Sequence, residues 1–309
     1  MGVLPLLTFE PVFQPYVWGG RRLAEWFATA PRDGPVAEVW LVSDEEKFPT
    51  RVAAGPFAGQ TLRQLSERFA ERLIGHGRWS RFPLLLKLLD AQQPLSVQVH
   101  PNDEQAGAGR QGKTEAWYIL HAEPGSSLYA GFQPGVTPPL VHEALARGTL
   151  ADLLHRIDVR AGDCVFLPAG TVHALGAGLL LFEIQQTSDI TYRLYDWGRP
   201  RPLQVDEALA CIDWTRGPIA PCRPTDGLLV DCPYFRLWSH RLDRPTHLGA
   251  EGECRILVTV GGQGQLHDGS QEYPLQPGSA WLIPAERGTV KCHPMGEVTL
   301  LECGLPKRS

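Results

Sequence analysis

The sequence lacks the features that mark a membrane protein or a nucleic-acid-binding protein. No stretch reaches the roughly 18 apolar residues that a membrane helix needs, and the N-terminus lacks the basic start of a signal peptide. Lysine and arginine form no basic run, and the net charge is −5. We therefore expect a soluble, cytoplasmic chain with no membrane partner and no nucleic-acid partner.

Paired cysteine spacing is also missing. The chain has seven cysteines, an odd number, and no CxxC motif. This pattern gives no sign of a secreted disulfide framework. We expect free thiols in a reducing compartment.

Glycine (32) and proline (27) are frequent and scattered among short apolar runs. This pattern predicts a mainly β fold, an antiparallel sandwich or barrel. The predicted strands cover residues 38–42, 83–89, 95–100, 115–120, 164–168, 179–184 and 191–195, then 234–239, 255–260, 280–283 and 298–303. Helical spacing predicts a helix over residues 61–74, with Thr61 as its N-cap residue, and shorter helices over 139–146 and 205–212.

Residues 216–228 are rich in proline and turn formers and are the best linker in the chain. We expect a metal-binding catalytic domain over residues 1–215 and a small domain over 229–309. An internal echo supports two related units, because GDCVFLPAGTVH (162–173) and GSAWLIPAERGTV (278–290) share the same Gly and Pro spacing. The second copy has Val290 and Lys291 where a ligand would be expected, so we place the metal in the first unit only.

Four residues form the candidate metal-ligand set. The spacing G-x5-P-x-G-x2-H ends on His173 and resembles the second motif of the cupin superfamily. In SVQVHP, Gln98 and His100 are two residues apart and therefore face the same side of a strand. Glu115 opens another predicted strand. Each residue alone would more often be a hydrogen-bonded core residue, but together they suit Zn²⁺, or Mn²⁺, Fe²⁺ or Co²⁺.

Several long segments, in the same order, resemble type I mannose-6-phosphate isomerases of the short bacterial form. They are FPLLLKLLDAQQPLSVQVHPND (82–103), GKTEAWYIL (112–120), PAGTVHALGAG (168–178) and EIQQTSDITYRLYDWGR (183–199), with similar shorter segments at 17–27 and 38–44. The resemblance runs from about residue 9 to residue 212. It implies a cupin (jelly-roll) β-barrel with a few helices, followed by a smaller, degenerate cupin-like domain.

The resemblance also implies an activity and a site. The activity is the interconversion of mannose 6-phosphate and fructose 6-phosphate through a cis-enediol. It implies one Zn²⁺ bound by the four residues above, and it places Arg193 in the active site, with Lys113 and Asp189 as further catalytic candidates.

The chemistry explains why these residue types are needed. Moving a proton between C1 and C2 requires a cation to stabilise the enediolate and a base to carry the proton. Arg193 could steady that charge or bind phosphate. Lys113 could bind phosphate or transfer protons, and Asp189 could be the base or orient a ligand histidine. The alternatives are an exposed cross-strand ion pair for Arg193, a solvated loop lysine for Lys113 and a turn residue for Asp189.

Three residues are predicted to contact the substrate, which we expect to be a small sugar phosphate. Ser96 shares a strand face with Gln98 and His100, Lys87 flanks the same region, and Trp18 is a candidate wall residue. A different class remains open: a cupin-type sugar-binding or regulatory module that keeps the metal without turnover. The ligand set alone would also allow an Fe²⁺ oxygenase. We expect a monomer or a weak homo-oligomer.

Overall fold

The computed structural model describes residues 2–75 and 81–305, most of which lie in strands and the turns between them. The strands up to residue 195 are β1 (Phe9–Glu10), β2 (Val12–Gln14), β3 (Glu38–Val42), β4 (Arg51–Val52), β5 (Leu84–Ala91), β6 (Val97–Val99), β7 (Glu115–Ala122), β8 (Ser127–Phe132), β9 (Leu154–Asp158), β10 (Cys164–Leu167), β11 (His173–Leu175), β12 (Leu179–Gln186) and β13 (Tyr192–Tyr195). The remaining strands are β14 (Leu228–Asp231), β15 (Arg236–Leu242), β16 (Thr246–Gly249), β17 (Arg255–Gly261), β18 (Gly264–His267), β19 (Glu272–Leu275), β20 (Ala280–Ile283), β21 (Thr289–Pro294) and β22 (Val298–Gly304).

The first half of the chain builds two antiparallel sheets that face each other. One has the strand order β10-β7-β12-β5-β3-β2 and the other β13-β6-β11-β8-β9. Buried side chains from both sheets meet between them, among them Leu89 and Trp117 from the first and Leu128 and Leu175 from the second. Burial of these apolar faces holds the sheets together.

The predicted barrel differs from the structure in one respect. Within the described residues the two sheets stay open, because their edge strands do not hydrogen-bond to one another. The mainly β fold is confirmed, but it is closed by side-chain packing between two sheets rather than by a continuous hydrogen-bonded ring.

The C-terminal part repeats this arrangement on a smaller scale. A five-stranded sheet, β14-β15-β22-β17-β20, packs on a four-stranded sheet, β16-β21-β18-β19. Near the N-terminus, Leu7 bridges to Leu282, and Leu6 joins the core of these two sheets. Another core cluster contains both Phe82 and Phe235, which lie on either side of residues 216–228. The domain boundaries at 215 and 229 stay a prediction.

The internal echo corresponds to the same local structure in both halves. Gly162 (φ +92°) and Gly278 (φ +88°) each turn the chain into a strand, β10 or β20. In the first copy a second turn then leads into β11, which opens on His173. In the second copy the corresponding turn leads into β21, where Val290 lies in an apolar core. The described residues therefore place the histidine-bearing turn in the first half only.

Four α-helices lie in the described residues, at α1 (Leu62–Leu73), α2 (Asp103–Ala106), α3 (Pro138–Arg147) and α4 (Val205–Cys211), and there are 3-10 turns at Arg22–Glu25, Leu150–Leu153 and Ala285–Arg287. None of these helices combines the length and the apolar character that a bilayer crossing demands. Three of the four match the predicted helices to within two residues, and the four-residue α2 was not predicted.

The start of α1 supports a stability prediction. Thr61 accepts a hydrogen bond from the backbone N–H of Gln64, and the Gln64 side chain accepts one from the N–H of Thr61. Loss of such a cap costs about 1 kcal/mol, so we expect Thr61→Ala to lower the free energy of unfolding by that amount in urea titrations. Thr137 precedes α3 but makes no side-chain cap, so Thr137→Ala is the matched control and should change little.

Candidate metal centre and active site

Three of the four predicted metal ligands meet between the two facing sheets. His100 follows β6, Glu115 opens β7 and His173 opens β11, and each is at most 1% exposed. The Nε2 atoms of His100 and His173 lie 3.6 Å and 3.4 Å from the Glu115 carboxylate oxygens. One ligand atom from each residue lies within 4.8 Å of the others. This spacing fits one small cation between them.

The two imidazoles are oriented to present Nε2 to that cation. The Nδ1–H of His100 donates to the carbonyl of Ile190, and the Nδ1–H of His173 donates to the carbonyl of Thr171, each at 2.8 Å. Burial lowers the pKa of His173 to about 4 and lowers that of His100 well below its usual value. Both rings are therefore neutral near pH 7, as metal ligands must be.

The Glu115 carboxylate is the strongest sign that a cation belongs here. It is fully buried and, within the described residues, makes no well-formed hydrogen bond, although the Lys113 ammonium lies 3.0 Å from its Oε2. Burial raises its pKa to about 7, against the opposing effect of Lys113. A buried carboxylate that only one lysine compensates carries a desolvation cost, which a bound metal would offset. The donor set therefore fits a divalent metal.

Gln98, the fourth predicted ligand, lies beside this trio. It is the cross-strand partner of both His173 on β11 and Arg193 on β13. Its Nε2 lies 3.3 Å from the Nε2 of His173. A half-turn of the amide would present Oε1 instead, and the two orientations differ only in their hydrogen bonds. Cross-strand partners point to the same face of a sheet, so Arg193, Gln98 and His173 line one wall.

A cavity of about 200 Å³ opens next to these residues. The predicted catalytic and substrate-binding residues all line it, namely Trp18, Lys87, Ser96, Lys113, Asp189 and Arg193. The structure thus brings together every residue of the predicted site, because the cavity touches Gln98 and Lys113, which in turn contact the trio.

Lys113 is not a solvated loop lysine. It is 5% exposed, and its Nζ lies 3.0 Å from Glu115 Oε2 and 3.4 Å from His100 Nε2. Asp189 has the opposite setting: its side chain is 43% exposed and lies 4.0 Å from Lys47. The ligand histidines are oriented by the Ile190 and Thr171 carbonyls, so the structure assigns Asp189 no part in orienting them.

Arg193 belongs to a cluster of guanidinium groups. Asp196, 2% exposed, accepts hydrogen bonds of 2.6 Å from Arg199 and from Arg201, while Arg193 donates to the carbonyl of Pro202. Burial and the nearby Arg201 lower the pKa of Arg193. The cluster sets three guanidinium groups against the Asp196 carboxylate, which leaves excess positive charge at the cavity, where Arg193 and Arg201 both form part of the lining.

The sequence analysis missed the partners of Lys87. Its Nζ lies 3.5 Å from Glu38 on β3 and 3.3 Å from Glu183 on β12. Trp40 and Trp117 donate indole N–H bonds to the same two carboxylates. A usable sequence signal was the pair Glu183 and Gln185 in EIQQTS, because residues two apart on a strand face the same side. The structure then pairs Gln185 with Glu115 across the sheet.

These charges support a second stability prediction. Burial alone would lower the pKa of Lys87, but Glu38 and Glu183 raise it. Removing one partner of a buried ion pair costs about 3 kcal/mol or more, so Lys87→Met should lower the free energy of unfolding by about that amount. Lys47, whose side chain is 74% exposed, supplies the control Lys47→Met, and an equal loss in both variants would contradict the prediction.

The fold and the site together define a class: a mainly β protein with two facing sheets, between which two histidines and a carboxylate form an interior site suited to a divalent metal. Two family models match the chain, the phosphomannose isomerase type I catalytic domain over residues 6–128 and the mannose-6-phosphate isomerase cupin domain over residues 226–300. The chain belongs to the type I mannose-6-phosphate isomerase family, and the predicted cupin fold and isomerase class are confirmed.

The relatives cover nearly the whole chain. Mannose-6-phosphate isomerase ManA of Bacillus subtilis is 35% identical over 304 residues, covering 92% of this chain and 95% of the relative. The mannose-6-phosphate isomerase of Streptococcus mutans is 33% identical over 296 residues, covering 89% and 92%. The crystal structure of the mannose 6-phosphate isomerase from Bacillus subtilis superimposes with a TM-score of 0.87 at 30% identity, over 96% of this chain and 99% of that one.

Proposed function

We propose that this chain interconverts mannose 6-phosphate and fructose 6-phosphate through a cis-enediol, at one Zn²⁺ held by Gln98, His100, Glu115 and His173. One observation carries the proposal: a single cavity adjoins the metal-type donors and is also lined by Arg193 and Arg201. A phosphorylated sugar needs both features, because its carbonyl end reacts and its phosphate end must be held. The names of the relatives support the substrate.

The metal and the guanidinium groups of Arg193 and Arg201 have complementary roles. When bound, zinc supplies a Lewis acid that stabilises negative charge on the sugar oxygens. Arg193 and Arg201 can bind the phosphate through paired N–H groups or stabilise charge on the enediolate. Trp18 and Ser96 form part of the walls that position the sugar.

Proton transfer needs one group at the oxygens and one at the carbons. Lys113 lies against Glu115 and His100, so its ammonium group can donate a proton to a sugar oxygen near the metal ligands. The carbon proton needs a carboxylate base, and Asp189 and Glu183 both line the cavity. Glu183 is the more buried, and although burial opposes it, Lys87 and Lys113 lower its pKa so that it is ionised near pH 7.

Exchange of the carbon proton with D₂O separates these two carboxylates. We expect the variant that lacks the base to lose exchange of the C1 and C2 hydrogens, because that group alone carries the proton between the carbons. The rate of hydrogen exchange should fall by about 10²–10⁴-fold. NMR of the sugar phosphate with Glu183→Gln and Asp189→Asn enzyme gives the measurement. Full exchange in both variants would remove both residues as the base.

Metal removal and restoration tests the proposal as a whole. Chelated protein should not interconvert the two sugar phosphates, and stoichiometric Zn²⁺ should restore turnover, measured by a coupled assay for fructose 6-phosphate. Parallel loading with Mn²⁺, Fe²⁺ and Co²⁺ ranks the metals. Binding of metal and sugar phosphate without turnover would identify the sugar-binding module, and oxygen uptake with Fe²⁺ would identify an oxygenase.

Two features of the cellular protein stay predictions. We propose a monomer or weak homo-oligomer, which light scattering across a range of concentrations would measure. We also propose a cytoplasmic location without nucleic-acid partners, which fractionation and a nucleic-acid binding assay would examine.

A further inference from the structure

Two cysteines that are far apart in the sequence lie together at the edge of a sheet. Cys164 opens β10, the edge strand of the six-stranded sheet. Cys222 lies in the proline-rich residues 216–228, and its N–H donates to the carbonyl of Cys164 at 2.7 Å. This bond brings the two backbones into contact, and it keeps the two Cα atoms within the roughly 7 Å beyond which a disulfide cannot form.

The two side chains also affect each other's ionisation. The neighbouring Cys164 side chain and the backbone N–H of Phe166 both favour the thiolate of Cys222, and they lower the pKa of Cys222 although its burial acts in the opposite direction. The same contact raises the pKa of Cys164 well above its usual value. Cys222 is therefore the more acidic of the two thiols.

Accessibility and acidity together separate Cys222 from the other thiols. Cys222 is half-buried, whereas Cys164, Cys254 and Cys303 are each 1% exposed. Cys232 is also half-buried, but burial raises its pKa. Reaction with an oxidant requires a thiolate that the oxidant can reach. Of these residues, Cys222 alone meets both conditions.

We propose that Cys222 and Cys164 form a peroxide-responsive dithiol, in which Cys222 is the attacking thiolate and Cys164 the resolving thiol. The sulfur of Cys222 attacks one oxygen of hydrogen peroxide, the O–O bond breaks, and the departing hydroxide takes a proton and leaves as water. Cys164 then attacks the resulting sulfenic sulfur, the S–O bond breaks, and a second water leaves with the proton of Cys164. Two electrons pass from the sulfurs to the peroxide, and one disulfide forms.

The disulfide would fasten residues 216–228 to β10. Leu167 of β10 pairs with Glu115 of β7, so the fastened edge is one strand away from the metal ligands. A cross-link between distant residues also restricts the unfolded chain. The oxidised protein should therefore unfold at a higher temperature than the reduced protein, by several degrees. The proposal does not depend on the isomerase activity.

Mass spectrometry of the metal-loaded protein tests this directly. The reduced protein is treated with one equivalent of hydrogen peroxide, alkylated and digested without reductant. We expect a linked peptide containing Cys164 and Cys222 that reductant removes. Cys222→Ser should abolish the linkage, whereas Cys232→Ser, which changes the other half-buried thiol, should leave it intact.

A measurement on the unmutated protein guards against a misfolded variant. Iodoacetamide should label Cys222 faster than Cys232 at pH 7, and Cys232 should need a higher pH to reach the same rate. A linkage through any other pair, or a Cys222 that reacts no faster than Cys232 at pH 7, would overturn the proposal. So would oxidation of Cys222 to sulfinic acid with Cys164 left as a free thiol.

Discussion

His173→Ala is expected to abolish both metal retention and isomerase turnover. His173 is 1% exposed, and its Nε2 faces Glu115 at 3.4 Å while its Nδ1 is held by the Thr171 carbonyl. Loss of this ring removes a pre-oriented ligand, and no other imidazole in the described residues joins His100 and Glu115 to replace it. Since even the orienting partners of a ligand are worth about 10–100-fold in metal affinity, the loss of the ligand itself should exceed that.

The rate should fall in step with the metal. The charge stabilisation that a catalytic metal gives is several kcal/mol, or about 10³-fold in rate. Elemental analysis after gel filtration measures the metal, and the coupled assay measures turnover. His142→Ala, which removes an exposed histidine from α3, should keep both. A His173→Ala protein that keeps its metal and its activity would remove His173 from the site.

Arg193→Ala is expected to lower kcat by about 10²–10³-fold while the metal stays bound. Arg193 is on the same sheet face as Gln98 and His173 and lines the cavity. Its guanidinium bonds to the Pro202 carbonyl and to no acidic side chain in the described residues, so its positive charge is available to an anion. The reason for the large effect is that this charge acts on the reacting sugar or its phosphate, and water cannot replace a fixed cation there.

Two further variants interpret the result. Arg193→Lys keeps the charge but loses the planar pair of N–H groups, so partial activity would show that charge dominates over bidentate geometry. Arg156→Ala removes an exposed arginine that pairs with Asp158 on β9, and it should leave kcat unchanged. If Arg193→Ala retained normal kcat and KM, Arg193 would have a structural role only.

The individual ligand candidates could be proposed from the sequence because the signals that mark them are local. Gln98 and His100 are two residues apart at β6, and the Gly170 turn precedes His173, which opens β11. Such relations depend on the alternation of side chains along a strand, which any single segment reveals. The strands β5 and β12 were also predictable, since they are continuously buried and read as apolar runs.

Other features depend on long-range pairing, which a single segment does not reveal. The strands β8 and β9 were missed. By contrast, β10 was predicted only one residue too long, and β20 was predicted with the bounds that the structure gives. The partners of Lys87 come from β3 and β12, distant in sequence and adjacent only in the sheet. The predicted barrel closure likewise depended on edge pairing that the described strands do not make.

The sequence by itself determined the family, the ligand types and the alternation that turns them inward, because these follow from residue chemistry and the two-residue period of a strand. Only the tertiary structure decided that Lys113 lies against Glu115 and that Cys222 lies on Cys164. It also decided that Asp189 is at the rim while Glu183 is buried. These relations arise when separate strands pack face to face, since burial and charge at each site depend on the neighbours that packing supplies.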